Sequence, residues 1–199
     1  MDWDLETMAF LVMDYQNDIM HVQGALGRHG MGETTARSGA TERTADVLER
    51  LRTAGAFIVH VGVGYRAGHP ELDKAEKFLG SMAKANALVE GTWGVAFAHE
   101  VAPRDGELVI IKRGMSSFTG TDLERVLRQN GIETVVLAGI ATTFVVEGTA
   151  RHAVDLGFNV VTIHDCCASF NVEMHAASIN VLKLFGPCIG AAELNVPPP

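Results

Sequence analysis

Three positions in this 199-residue chain combine residue types and spacing that could do chemistry. Asp14 follows the apolar run Ala9-Phe10-Leu11-Val12-Met13. Lys112 follows Glu107-Leu108-Val109-Ile110-Ile111. Gly139 follows Leu137-Ala138 and leads into Ile140-Ala141-Thr142-Thr143-Phe144-Val145-Val146-Glu147. A lysine beside a carboxylate lowers the carboxylate's pKa while desolvation raises it; where the two compete, the acid can hold and release a proton near neutrality. A tight glycine turn from a buried strand into a helix is the third element. Singly, an Asp at a strand end is a turn residue and a Lys there is solvated. Their coincidence at three strand ends points to one crevice, because ligands of an open parallel sheet bind beyond the carboxyl ends of its strands.

The elements that would position them alternate. Short apolar runs at Ala9–Met13, Ala56–Val61, Glu107–Ile111, Thr134–Ala138, Asn159–Ile163 and Cys188–Gly190 read as strands. Helical spacing covers Thr41–Thr53, capped by Thr41 and closed by Gly55, and Thr121–Arg128, with Thr121 and Glu124 as a capping box. Further helices are expected over Thr143–Leu156 and Val172–Leu184. The alternation predicts one α/β domain over residues 1–199, a three-layer α/β/α arrangement with a six-stranded, mostly parallel sheet. Residues 20–40 and 64–100 are long connections, which in a compact domain usually build sites. The Pro197-Pro198-Pro199 tail continues no regular element.

Composition narrows the function. With 47% hydrophobic and 20% charged residues the chain is globular, and its net charge of −8 argues against a nucleic-acid partner. No apolar run reaches the roughly 18 residues of a membrane helix, and Met1–Glu6 lacks the basic and apolar regions of a leader, so a cytoplasmic protein with no membrane partner is expected. Three cysteines, two of them adjacent at Cys166 and Cys167, fit reduced thiols that pack rather than react. The histidines supply no convergent set, so neither a metal nor any other cofactor is expected. His60 reads as a core histidine, and His21 and His29 as decoration of a lid or subunit contact.

Four segments carry a resemblance: Phe10–Asp18, Ile111–Leu123, Gly139–Ala153 and Asp165–Ser169. In order and spacing they resemble the isochorismatase-like hydrolase superfamily, which includes nicotinamidases, carbamoylsarcosine-type amidohydrolases and isochorismatases. The resemblance implies that Asp14 is the general acid or base and Lys112 its electrostatic partner. It implies a cis peptide at Ile140–Ala141 and an oxyanion hole from the backbone N–H groups of Ala141 and Val145. In the thiol-dependent members the helix opens on a nucleophilic cysteine, and here that position is Val145. Gln16, Trp93, Phe118 and Thr142 are assigned to substrate binding, with Phe144 as a further wall of an apolar cup.

The implied reading is a hydrolase of a small organic molecule using Asp14 and Lys112 without a covalent thiol. Isochorismatases, which lack the cysteine and hydrolyse a vinyl ether, are the precedent. They carry a tyrosine after the turn, where Ala141 stands here, and glycine at the position of Val145. Two alternatives stay open: an inactive small-molecule binding homologue, and a cysteine amidohydrolase substituted at Val145. A homodimer or homotetramer is expected, with the apolar Phe144-Val145-Val146 entry near a subunit contact.

Overall fold

β1 (Met8–Met13) is wholly apolar, and every residue in it is buried. Such a strand has to lie inside a sheet covered on both faces, and in the computed structural model, which describes residues 4–195, it does. Residues 1–3 and 196–199, the latter including the proline tail, lie outside the described residues. Six strands run β3-β2-β1-β4-β5-β6. The others are β2 (Phe57–Val63), β3 (Leu108–Lys112), β4 (Thr134–Ile140), β5 (Asn159–Ala168) and β6 (Cys188–Ile189). Every pairing in the sheet is parallel.

Seven α-helices connect and cover the strands: α1 (Asn17–Met20), α2 (Met31–Ser38), α3 (Ala40–Thr53), α4 (Leu79–Lys84), α5 (Leu123–Gln129), α6 (Glu147–Asp155) and α7 (Val172–Leu182). Alternate residues of β1 feed two cores. Met8, Phe10 and Val12 pack with Val47, Leu48 and Leu51 of α3. Ala9, Leu11 and Met13 pack with α5, α6 and α7 through Leu127, Ala150 and Leu182. This is the three-layer α/β/α arrangement.

Several boundaries differ from the sequence reading, each for a local reason. The connection over residues 20–40 contains α2, which ends at Gly39 in the left-handed region (φ 66) before α3 begins. Thr41 therefore lies inside α3, buried, and caps nothing. The box expected from Thr121 and Glu124 does not form: Asp122 is the N-cap of α5, without a side-chain cap bond, and Thr121 Oγ1 donates to Ser117 O at 2.6 Å while accepting from Leu123 N at 3.4 Å. The helix expected from Thr143 begins as a π-helical turn over Thr142–Val146. β5 runs five residues further than expected because its register against β4 shifts between Leu137 and Gly139, letting Cys167 and Ala168 pair with Gly139 and Ile140.

His60 is the core histidine expected. It is fully buried on β2, and its Nε2 lies 2.8 Å from Glu107 Oε2. Glu107 also accepts from Arg52 Nε at 2.7 Å and Arg52 Nη2 at 2.8 Å, fastening α3 to the start of the edge strand β3. Burial alone would raise the Glu107 carboxyl; the Arg52 hydrogen bonds and charge, the Arg104 backbone N–H and the His60 contact together outweigh it, and the group is held at about 2. A depressed carboxylate stabilises the fold above its unfolded pKa, near 4.5, and that contribution disappears as pH falls toward 2. Glu107→Gln is therefore expected to lose about 2 kcal/mol in urea unfolding at pH 7. Between pH 5 and 3 the variant should also lose less stability than the wild type does.

Candidate active site

At the carboxyl edge of the sheet, β1 ends on Asp14 in the left-handed region (φ 60), a conformation Asp adopts more readily than most residues. β3 ends on Lys112. Its Nζ donates to Asp14 Oδ2 at 2.9 Å and to Gly114 O at 3.0 Å, and both side chains are nearly solvent-free. Asp14 Oδ1 is also buried but has no hydrogen-bond partner among the described residues. Burial pushes the Asp14 carboxyl above its ordinary value of 3.8, and Lys112, through its charge and its hydrogen bond, pulls the other way. The net direction is upward, because one hydrogen bond and one nearby ammonium do not replace the water that both oxygens lose.

The third element is the β4 end. The Ile140–Ala141 peptide is cis, and the π-turn follows at once. Ala141 and Val145 line a cavity of about 220 Å³ that also has Asp14 and Lys112 in its wall. The three strand ends thus meet in one place. Val145 is 1% exposed and presents methyl groups where the resemblance places a nucleophile.

The segment after Lys112 is tied down by α6. Ser117 N donates to Thr149 Oγ1 at 3.0 Å, and Thr149 Oγ1 donates to Ser117 Oγ at 3.0 Å. Ser116 Oγ lies 3.1 Å from His152 Nδ1. A second brace is Asp18, whose buried carboxylate accepts from Ala25 N at 2.9 Å and Leu88 N at 2.7 Å. It packs so closely against Gly94 that a Cβ there would stand 2.0 Å from Oδ2. Asp18 thereby joins the two long connections, which contribute Leu26 and Leu88 to the cavity wall.

Four residues assigned to substrate binding fall outside the cavity lining, and the reason differs for each. Gln16 continues the sheet: its side chain accepts from Val63 N at 2.7 Å and donates to Val63 O and Val95 O at 2.8 Å each. Thr142 is buried and bonded to His175 Nδ1 at 2.8 Å. Phe118 stacks on Phe158 in the core under α5 and α6. Trp93 is 52% exposed and meets His21 edge-on.

The cavity takes its aromatics elsewhere. Phe144 stacks on Phe78 with centroids 4.3 Å apart and meets Phe170 edge-on at 5.7 Å. Phe78 precedes α4 and Phe170 precedes α7, so three separate connections build one wall. Phe144 was weighed from sequence; Phe78 and Phe170 were missed, and a large apolar residue in a long polar connection was the available signal. Tyr65, just after β2, also lines the cavity. Burial and the nearby Asp14 raise its phenol to about 12, so it remains a hydrogen-bond donor. His29 reaches the lining from an exposed position.

The cysteines stand apart from this cavity's lining. Cys166 and Cys167 are buried in β5, and burial pushes both thiols up, Cys166 to about 12. The apolar entry that motivated a subunit contact is occupied within the chain, since Val146 is fully buried and Phe144 belongs to the aromatic wall. Glu147 and Arg151 pair at 2.7 Å, with Ser178 of α7 also donating to Glu147. The N-cap of α7 is Asn171, which accepts from Met174 N. Among the described residues no group of three or more His, Cys, Asp or Glu is placed to hold a metal ion. None of the described helices is long and apolar enough to cross a membrane.

Comparison with known proteins agrees with this geometry. The isochorismatase domain family matches residues 8–193. An uncharacterized isochorismatase family protein of Escherichia coli O157:H7, YecD, is 37% identical over 180 residues, covering 90% of this chain and 89% of the relative. Maleamate amidohydrolase of Pseudomonas putida is 30% identical over 140 residues, covering 70% of this chain and 65% of that enzyme. Among solved structures, an isochorismatase-like hydrolase from Alkaliphilus metalliredigens is similar at a TM-score of 0.77 and 30% identity, covering 94% of this chain and 96% of that one. A cysteine hydrolase from Pseudomonas syringae pv. phaseolicola shares the fold at a TM-score of 0.85 and 20% identity, covering 96% of this chain and 92% of that one. The parallel sheet, the converging strand ends and these matches make the chain a member of the isochorismatase family of hydrolases.

Proposed function

We propose that this family member hydrolyses a small organic molecule by proton transfer through Asp14 and Lys112, with no covalent thiol step. The observation that carries the reading is the state of Asp14. One carboxyl oxygen is held by Lys112, the other is buried and unpartnered among the described residues, and the residue lines the cavity. An acid raised by burial retains a proton that it can give to a substrate atom placed against Oδ1. Val145, beside it in the same lining, has no atom able to attack.

In this reading the Asp14 carboxyl donates its proton to the substrate, and the Lys112 ammonium stabilises the carboxylate left behind. Positive charge develops at the carbon attached to the leaving heteroatom. A water molecule adds there and returns one proton to Asp14, so that the net change is addition of water and cleavage of one carbon–heteroatom bond. The backbone N–H groups of Ala141 and Val145 are the proposed donors to any oxygen that gains negative charge. The amidohydrolase named among the relatives supports hydrolysis of a C–N bond as one form of the reaction; an enol ether is the other, since protonation alone starts its cleavage.

Asp14→Asn is expected to abolish turnover in a panel of amides and enol ethers, because an amide nitrogen does not exchange a proton at neutral pH. Lys112→Ala should reduce kcat/KM by about 10²–10³-fold. The reactive form is the protonated acid, so kcat/KM should hold at low pH and decline as pH rises through the Asp14 pKa, at a pH above that of an ordinary carboxylate. A profile that instead rises with pH would make Asp14 a base and contradict the acid-first order.

Iodoacetamide should leave activity intact, since all three thiols are raised by burial and Cys166 and Cys167 are shielded from reagent. Inactivation by iodoacetamide without unfolding would overturn the thiol-free mechanism. Val145→Cys places a thiol at the start of the helix beside this site, and gain of amidase activity in that variant is the expected outcome.

A further inference from the structure

We propose that the cavity accepts an uncharged, mainly hydrophobic substrate, aromatic or branched, with one hydrolysable polar group at its Asp14 end, and that it rejects carboxylates. The proposal rests on the hydrolase reading of the same cavity and adds the chemical class of the substrate.

Away from Asp14, the wall is made of thioether, aliphatic and aromatic side chains, with the Phe78–Phe144–Phe170 cluster on one side and Met31 and Met82 among the rest. Cavities of about 150 Å³ lined by Leu, Ile and Phe hold a benzene ring, and this one is about 220 Å³. The walls therefore suit a ring or a branched chain that they can cover on most sides.

A carboxylate against these walls would find no free ammonium or guanidinium to pair with. The only Lys or Arg in the lining is Lys112, whose ammonium is occupied by Asp14 Oδ2 and Gly114 O. Two guanidiniums follow the site in sequence, and both are already paired. Arg66 Nε donates to Glu71 Oε1 at 2.5 Å, while Arg113 Nη2 donates to Glu90 Oε1 at 2.6 Å and Arg113 Nε lies 3.5 Å from Glu71 Oε1. The other polar side chains in the wall are Tyr65, Ser81 and His29. Tyr65 and Ser81 are neutral donors, and His29 is exposed. A carboxylate entering this space would lose its water against methionine and phenylalanine surfaces with no ion pair to offset the loss. Maleamate, in the name of one relative, is such a carboxylate.

Calorimetric titration with benzamide and with 4-carbamoylbenzoate, which differ by one carboxylate, tests the assignment without requiring turnover. Wild-type protein should bind benzamide at least about tenfold more tightly, a difference readily resolved in Kd. Leu79→Arg, which adds a cation to the partly exposed cavity wall, should shift that ratio toward the carboxylate by about tenfold or more. Equal or preferential binding of 4-carbamoylbenzoate by the wild type overturns the proposal, and so does failure of benzamide to bind. Benzamide preference with no hydrolysis of any amide or enol ether would refute the hydrolase reading and leave the ligand class standing. Asp14-dependent hydrolysis of a carboxylate-bearing substrate, without benzamide binding, would do the reverse.

Discussion

The interaction on which this structure depends is the buried contact between Asp14 and Lys112. The two residues sit on β1 and β3, which are not neighbours in the sheet, with β2 between them. Their side chains meet only because both strands end at the same level above the carboxyl edge. Removing one partner of such a buried pair leaves an uncompensated charge and typically costs about 3–5 kcal/mol. As a source of stability the arrangement is poor, since a hydrophobic pair would do as well. As a site it is effective: one oxygen is fixed, the other is dry and unpartnered among the described residues, and the residue lines a cavity.

The remaining architecture can be understood as support for that pair. The two cores hold the strands in register, so the edge carrying Asp14, Lys112 and the β4 turn is rigid. Ser117 and Thr149 hold the chain just beyond Lys112 against α6. Asp18 binds the two long connections to each other, so that their apolar residues form walls rather than loose loops. Desolvation by those walls is what raises the Asp14 carboxyl. Hydrophobic packing and proton chemistry are thus coupled: a wetter cavity would lower the pKa and leave less of the protonated acid to act as donor.

Much of this was legible in the sequence. The strands announce themselves because a strand buried on both faces has no polar residue to break its run, as β1 shows. Asp14 and Lys112 were legible because each stands where such a run ends. The turn after Gly139 was legible as a turn, while its cis peptide followed from the family resemblance alone. What the sequence concealed was the use of polar side chains to complete the backbone. Gln16 looks like a ligand-binding residue, yet it replaces a missing stretch of strand, and Thr142 is held by His175 from α7. The aromatic wall was hidden for another reason. Phe78, Phe144 and Phe170 are far apart in the chain, and no local pattern brings them together.

The central claim is that Asp14 keeps its proton to a higher pH than an ordinary carboxyl group because the fold denies it water. Carbon-13 NMR titration of the aspartate side-chain carboxyls, with the Asp14 resonance assigned by its loss in Asp14→Asn, measures this directly. The account predicts a midpoint for Asp14 displaced upward from the ordinary 3.8. A midpoint at or below 3.8 would mean that Lys112 dominates over burial, and Asp14 could not then be the proton donor described here.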